Sequence, residues 1–195
     1  KLAEPIKNIK ISTIVEKISG NKVFTAHETF IGKYIVVATD PVSASTLVNE
    51  LKRPNMLMST TMYFSTSDYL VDAKNLVVSN RSKLVNSIVM SKVSEKYAPS
   101  GLNLISTTSL AALSEEEFRK QLSEIWRNNT ANWQALARYE IKNSLPFHSP
   151  GQIKDRNLRV NENTFVIGDH MSTPSQQGAM KSGAAVAKLI NQLMQ

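Results

Sequence analysis

The hydrophobic positions in the first fifty residues form short alternating or continuous stretches that are typical of β-strands. Strands are predicted over residues 9–12, 23–24 and 34–38. The last of these is rich in β-branched residues, as in strands that are covered on both faces. Asp40 follows it and can cap a helix that has Pro41 at its first position, so a short helix is predicted over residues 41–51.

The middle of the chain carries four strand-like segments that are separated by polar or proline-containing turns. They are residues 56–64, 74–78, 84–93 and 101–108. Parallel strands would need crossover helices between them, and the pattern shows none in this region. The sheet is therefore predicted to be antiparallel.

Helical spacing returns after residue 113. Ser114 and Glu117 have the spacing of a capping box and open a predicted helix over residues 115–128. The remaining predicted elements are a strand or extended segment over 133–141, a loop over 144–160, a strand over 164–167 and a closing helix over 174–195. The predicted class is α+β, with a mainly antiparallel sheet and a few helices.

Composition excludes some kinds of site and leaves others open. The chain has 195 residues and no cysteine, so disulfides, thiolate metal sites and a cysteine nucleophile are excluded. Its net charge of +7 is spread along the chain without a nucleic-acid motif, so no nucleic-acid partner is expected. His27 and His148 are isolated, and no metal site is predicted. A cytoplasmic location is predicted, with peripheral membrane contact left open.

The segment over residues 165–183 has a pattern that suits a cofactor. A short strand ends in Gly168 and Asp169, where a residue without a Cβ allows close approach and a carboxylate can accept bonds from hydroxyl groups. The next helix begins near Ser175, and its unpaired N–H groups point in the same direction. Small residues on its first turns equally suit close helix packing, so a purely structural origin stays open.

Residues 165–188 are similar to the carboxyl-terminal signature of FAD-dependent amine oxidases, protoporphyrinogen oxidases and phytoene dehydrogenases. In these proteins a strand ending in Gly-Asp precedes a loop with a serine, then Gly-Ala and Ser-Gly on a final helix. Residues 9–18 and 34–40 resemble the two strands around a meander, the second ending in Ala-Thr. The order of the intervening elements, including Tyr97-Ala98-Pro99, resembles the phytoene-dehydrogenase-like branch most. The resemblance covers nearly the whole chain.

The resemblance implies that the chain is the carboxyl-terminal portion of an FAD-binding α/β fold. Residues 1–50 would belong to the FAD-binding domain, residues 51–160 to a substrate-type antiparallel sheet, and residues 161–195 to the closing strand and helix of the FAD-binding domain. The family's Gly-x-Gly-x-x-Gly turn, which holds the pyrophosphate, does not occur among the seven glycines. We therefore expect tight FAD binding to need an amino-terminal segment as partner, and the chain alone to be inactive.

The resemblance also implies which residues contact FAD. They are Val15, Ala38, Thr39, Gly168, Asp169, Ser175, Gln177, Gly178 and Ala179. In the family, the position of Val15 meets the adenine, Ala38 and Thr39 lie near the pyrophosphate, Gly168 and Asp169 touch the pyrophosphate and ribityl chain, and residues 177–179 reach the pyrimidine edge of the flavin. No catalytic side chain is predicted, because the flavin performs the hydride step.

The predicted function is transfer of hydride from a small apolar substrate, such as an isoprenoid, to flavin N5. Oxidation of an amine is one alternative, and a flavin-dependent isomerase or a non-catalytic interaction module is another. His170 either contacts a ligand or bonds within its loop. The cluster of Met56, Met58, Met62, Tyr63 and Phe64 either lines a substrate cleft or packs in the core. The oligomeric state is not predicted.

Overall fold

The structure is a computed structural model that describes residues 4–71, 74–149, 151 and 156–195. The chain divides into two compact units. Unit 1 comprises residues 1–55 and 146–195, and unit 2 comprises residues 56–145. The predicted assignment of residues 1–50, 51–160 and 161–195 to flavin-binding and substrate-type parts stays a prediction.

Nine strands and four α-helices lie within the described residues. The strands are β1 (Val15–Ser19), β2 (Lys22–Thr25), β3 (Thr29–Ile31), β4 (Ile35–Val37), β5 (Met56–Thr66), β6 (Leu84–Val89), β7 (Asn103–Ser109), β8 (Gln134–Pro146) and β9 (Thr164–Val166). The helices are α1 (Pro41–Leu47), α2 (Met90–Val93), α3 (Glu115–Trp126) and α4 (Gln176–Leu193), with 3₁₀ turns at Glu95–Tyr97 and Asp169–Met171. The fold is mixed α and β, as predicted.

Unit 1 contains two small sheets. Strands β1, β2 and β3 form an antiparallel meander, and β4 pairs in parallel with β9. The buried side chains of the β4–β9 pair, among them Val37 and Val166, pack with Ala44 and Val48 from the region of α1. This packing fixes the two parallel strands side by side although they are far apart in the sequence.

Unit 2 is a four-stranded sheet with the order β6-β7-β5-β8. The β5–β7 and β6–β7 pairs are antiparallel, which confirms the predicted strand direction. One face of the sheet buries Phe64 and Ile105 against Phe118 and Leu122 of α3. The indole of Trp126 is buried too, and its Nε1–H donates to Ser87 Oγ at 3.0 Å, so its polar atom is satisfied inside the core.

The starts of the helices predicted from residues 41 and 115 are confirmed by their caps. Asp40 Oδ1 accepts bonds from the backbone N–H groups of Val42 and Ser43, with Pro41 at the first helical position. Ser114 and Glu117 form the complete capping box that opens α3. Their far ends come earlier than predicted: α1 ends at residue 47, and α3 ends at residue 126, where Arg127 adopts a left-handed conformation.

Several predicted strand boundaries are wrong. Residues 9–12 form no strand, because they are exposed and Ser12 interrupts them at a positive φ of 54°. No strand in the described part of the chain pairs with them. The 74–78 segment makes only an isolated bridge from Val77 to Ser87. Residues 90–93 turn into α2 instead of extending β6, and β8 runs on to residue 146, into the predicted loop. Pro150, also placed in that loop, lies outside the described residues.

None of the described helices is both long enough and apolar enough to cross a membrane.

Candidate functional site

The parallel pairing of β4 with β9 brings two groups of predicted site residues to one sheet edge. Ile35 pairs with Thr164 and Val37 with Val166, and Ile167 N–H donates to the Val37 carbonyl at 2.9 Å just past the paired region. Because parallel strands end at the same edge, residues 38–40 and residues 168–170 leave the sheet together. Ligands of open α/β sheets bind outside such strand ends.

The turn after β4 is exposed and has a defined geometry. Ala38, Thr39 and Asp40 are all exposed to solvent. The Thr39 hydroxyl donates to the Asp40 carbonyl at 3.3 Å. Capping of α1, chiefly the hydrogen bond with Ser43, lowers the pKa of the Asp40 carboxyl. This turn therefore offers a hydroxyl and a fixed negative charge at the strand end.

The turn after β9 is tied to the closing helix. Gly168 has φ of 149°, a backbone conformation that L side chains rarely adopt. Its N–H donates to the Ser182 hydroxyl at 3.0 Å, and that hydroxyl donates to the Ala179 carbonyl at 2.7 Å. Ser182 is buried and holds the second turn of α4 against the strand end. The sequence analysis treated Ser182 only as a small residue and did not predict this role. The one sign of it in the sequence is that Ser182 lies on a helix face made of glycine and alanine.

His170 lies buried beneath the same turn. Its Nδ1 is 3.8 Å from Asp169 Oδ1, which is beyond hydrogen-bond range, and neither ring nitrogen has a hydrogen-bond partner in the described part of the chain. Burial lowers the pKa of His170, and the positive charge of Arg156 acts in the same direction. The carboxylates of Asp169 and Asp40 act in the opposite direction.

The imidazole accounts for the glycine at position 168. A Cβ built on Gly168 would lie 2.6 Å from both Nδ1 and Cε1 of His170. The ring thus fills the space that the missing side chain leaves. The sequence predicted that Gly168 contacts a ligand. The structure gives a second reason for a glycine at this position, which is the contact with the His170 ring.

The beginning of α4 is packed equally closely. Ser175 caps the helix, and its hydroxyl accepts from Gly178 N–H at 3.1 Å. A Cβ on Gly178 would lie only 1.8 Å from the Thr173 carbonyl oxygen. Gln177 is exposed and Ala179 is half-buried. The helix start that was predicted to face flavin is therefore held by the loop before it.

Val15 lies in a different sheet from the strand ends. It opens β1 and pairs with Thr25 in the three-stranded meander. At 36% exposure its surface is accessible, and its adenine contact stays a prediction. The other eight predicted cofactor residues lie on the two strand ends, in the loop before α4 or in its first turn.

The methionine and aromatic cluster on β5 is divided between the two faces of the sheet. Met62 and Phe64 are buried in the core of unit 2, so the cleft interpretation is wrong for them. Met56, Met58 and Tyr63 are half-buried, and Tyr63 packs edge-to-face on Tyr139 with the ring centroids 6.0 Å apart. Strand alternation places Tyr63 on the face opposite Met62 and Phe64. Met56 and Met58 are half-buried because they lie in the less buried first residues of β5.

A cavity of about 940 Å³ lies within unit 2. Polar residues of its lining include Asp68, Lys74, Ser91, Ser94, Glu95 and Asn103. Internal bonds fix its wall: Trp133 Nε1–H donates to the Asp68 carboxylate at 3.0 Å, and the Asn103 amide donates to the Asp68 carbonyl at 2.9 Å. The sequence pattern did not mark these loops as a site, because their polar residues read as ordinary surface.

The strand-end residues fit a ligand that carries hydroxyl groups. Asp169 presents a half-buried carboxylate, Thr39 presents an exposed hydroxyl, and His170 has two buried nitrogens without a partner among the described residues. The ribityl chain and ribose of FAD are ligands of this kind. No group of three His, Asp or Glu side chains suited to a metal ion occurs in the residues that the structure describes.

No protein-family profile matches the chain, and no curated protein matches it in sequence. In structure it is similar to an oxidoreductase from Methanosarcina mazei, at 11% identity and a TM-score of 0.68, over 90% of this chain and 47% of that one. A protein from Pyrococcus furiosus is similar at 14% identity and a TM-score of 0.60, over 87% of this chain and 45% of that one.

A third similar structure is reduced UDP-galactopyranose mutase, at 7% identity and a TM-score of 0.52, over 69% of this chain and 34% of that one. At such identities the likeness concerns the fold alone. The chain thus has the fold of part of an oxidoreductase and of part of a mutase. It spans less than half the length of each of the three proteins.

Proposed function

We propose that this chain forms part of the FAD site of an oxidoreductase. The observation that carries the proposal is the parallel β4–β9 pair, which brings Thr39 and Asp169 to one edge beside α4. The structural likeness to an oxidoreductase and to a mutase in its reduced form supports a redox cofactor. When bound, FAD supplies the hydride-accepting chemistry.

Each strand-end residue has a definite task in this proposal. The Asp169 carboxylate accepts hydrogen bonds from ribityl hydroxyls. The exposed Thr39 hydroxyl turns away from the Asp40 carbonyl and donates its proton to a phosphate oxygen. The residues around Gln177 place the positive end of the α4 dipole near the pyrimidine edge, where negative charge is favoured. These residues bind and orient; none of them is assigned a proton transfer.

We propose a small apolar substrate, such as an isoprenoid, in the phytoene-dehydrogenase-like manner. An amine is the alternative substrate within the same chemistry. A flavin-dependent isomerase is the second candidate function. The polar lining of the unit 2 cavity, with Asp68, Lys74 and Asn103, favours it, and UDP-galactose is a suitable probe for that cavity.

Fluorescence titration of FAD with the purified chain tests the proposed cofactor. Because the chain lacks the family's pyrophosphate-binding turn, we expect weak but saturable binding. Asp169→Ala should weaken it further, by about tenfold or more, because hydrogen bonds to a charged group are lost. Glu124→Ala is the matched control, since it removes an exposed carboxylate in unit 2. Absence of saturable FAD binding would refute the proposed function, whereas equal binding by the Asp169 variant would refute only the role of that residue.

The substrate class needs a separate measurement. Saturable binding of UDP-galactose to the chain, lost on substitution of Asn103 by leucine, would favour the isomerase. Binding of an apolar polyene without an effect of the same substitution would favour the oxidoreductase with an apolar substrate.

A further inference from the structure

Asp169 lies between a buried imidazole and solvent. Its side chain is 30% exposed, whereas that of His170 is 6% exposed, and the two residues meet at 3.8 Å through Oδ1 and Nδ1. A movement of about 1 Å brings this pair to hydrogen-bond distance. One side of the carboxylate thus faces the ring, and the exposed side is available to a ligand.

The ring is held in place by the turn that surrounds it. The backbone of Gly168, with no Cβ, lies against Nδ1 and Cε1, and Gly168 itself is fixed by its bond to Ser182. Both ring nitrogens are enclosed, and the Asp169 carboxylate is an acceptor that lies 3.8 Å from Nδ1. A small shift of Asp169 gives a hydrogen-bond acceptor to a buried donor that has no other partner among the residues the structure describes, which is energetically favourable.

We propose that His170 is a positioning residue that directs the Asp169 carboxylate toward a ligand hydroxyl. In this arrangement Nδ1–H bonds one side of the carboxylate and the ligand hydroxyl bonds the other. The ligand part rests on the proposed function, because it assumes the ribityl hydroxyls of FAD. The pairing of His170 with Asp169 is a property of the chain itself.

The other charges around the ring decide how strongly the pair interacts. Asp169 adjoins the ring on its own turn, Asp40 acts from the cap of α1, and Arg156 acts from the loop before β9. The two carboxylates favour a protonated ring and Arg156 opposes it. Replacing Asp169 by Asn therefore removes the nearest favourable charge and lowers the pKa of His170.

The pairing is tested in the free chain by a nuclear magnetic resonance pH titration of its three histidines. His170 is assigned by loss of its signal in His170→Asn. We expect Asp169→Asn to shift the titration of His170 to lower pH than in the parent chain. An unchanged His170 titration in Asp169→Asn overturns the proposal.

The ligand arm is a double-variant cycle on FAD affinity. His170→Phe keeps the ring shape but removes the nitrogens, and we expect it to weaken FAD binding about threefold to tenfold, the loss of one hydrogen bond. His170→Asn places an amide N–H near the Nδ1 position and should bind within about twofold of the parent chain. In the Asp169→Ala background, His170→Phe should have no further effect.

The two arms separate this inference from the proposed function. If FAD binds but His170→Phe acts equally strongly with and without Asp169, His170 does not work through the carboxylate and the inference is overturned. If FAD does not bind, the proposed function fails and the ligand part fails with it. The histidine titration then still decides whether the two side chains are paired.

Discussion

Two glycines on the same helix should respond in opposite ways to the same substitution. Gly178 and Gly183 both lie on α4 and belong to the small-residue signature of the sequence. A Cβ on Gly178 would meet the Thr173 carbonyl oxygen at 1.8 Å, whereas one on Gly183 would meet the Ile167 Cδ1 atom at 3.7 Å. The first contact is impossible without movement, and the second is an ordinary van der Waals contact.

The size of each effect follows from these contacts. For Gly178→Ala, the shortfall from a normal contact is roughly 1.7 Å and the obstructing atom is backbone, so the helix start or the loop must shift. Overpacking of this kind costs about 1–3 kcal/mol, and we expect about 3 kcal/mol because no side chain can rotate away. Gly183→Ala should stabilise the chain by about 0.5–1 kcal/mol, since alanine is the better helix former.

Urea unfolding followed by far-ultraviolet circular dichroism measures both changes, and the closing helix contributes directly to the signal. Tryptophan fluorescence, which reports on unit 2 through Trp126 and Trp133, is the companion probe. A Gly178→Ala chain as stable as the parent would refute the close approach of α4 to Thr173. If that variant instead kept full stability and lost FAD binding, the glycine would serve the ligand alone.

Three further outcomes are expected. Gly168→Ala should lower the free energy of unfolding by about 2–4 kcal/mol, because of backbone strain and the contact of the new Cβ with His170. In urea unfolding, the double variant with His170→Ala should lose less stability than the sum of the two single variants, by about 1 kcal/mol or more. Strictly additive losses would contradict the contact. Because the pKa of His170 is lowered in the folded chain, the unfolded chain binds more protons below pH 6.5, and the free energy of unfolding should fall as the pH drops from 6.5 through the folded-state pKa. The urea unfolding midpoints of the parent and of His170→Phe should therefore diverge over this pH range. Parallel midpoint curves would contradict a lowered pKa for His170. Asp40→Ala should cost about 1 kcal/mol through loss of the α1 cap, measured by the same unfolding, and an unchanged midpoint would mean that the cap is replaced by water.

The helix starts could be predicted from sequence because their signals are local. Asp40 with Pro41, and Ser114 with Glu117, satisfy backbone groups within three residues, so no distant contact is needed to form them. The antiparallel direction of the unit 2 strands was also predictable, from the lack of intervening helices. Alternation alone wrongly predicted a strand at residues 9–12, because a strand needs a partner and none of the described strands pairs with that segment.

The candidate site depended on contacts that no local pattern contains. Residues 168–170 were recognisable as a chemical group, but their position beside Thr39 comes from the pairing of β4 with β9 across most of the chain. The burial of His170 and the bond from Gly168 to Ser182 likewise need the turn, the strand and α4 to be packed together.

The sequence by itself determined the class of fold, the helix starts and the chemical character of the Gly168–Asp169 turn, since these follow from neighbouring residues. The tertiary structure decided which residues share an edge, why positions 168 and 178 are glycine, and that a buried histidine lies beside a carboxylate. Such features arise where chain segments distant in sequence exclude water from each other, and only their packing specifies them.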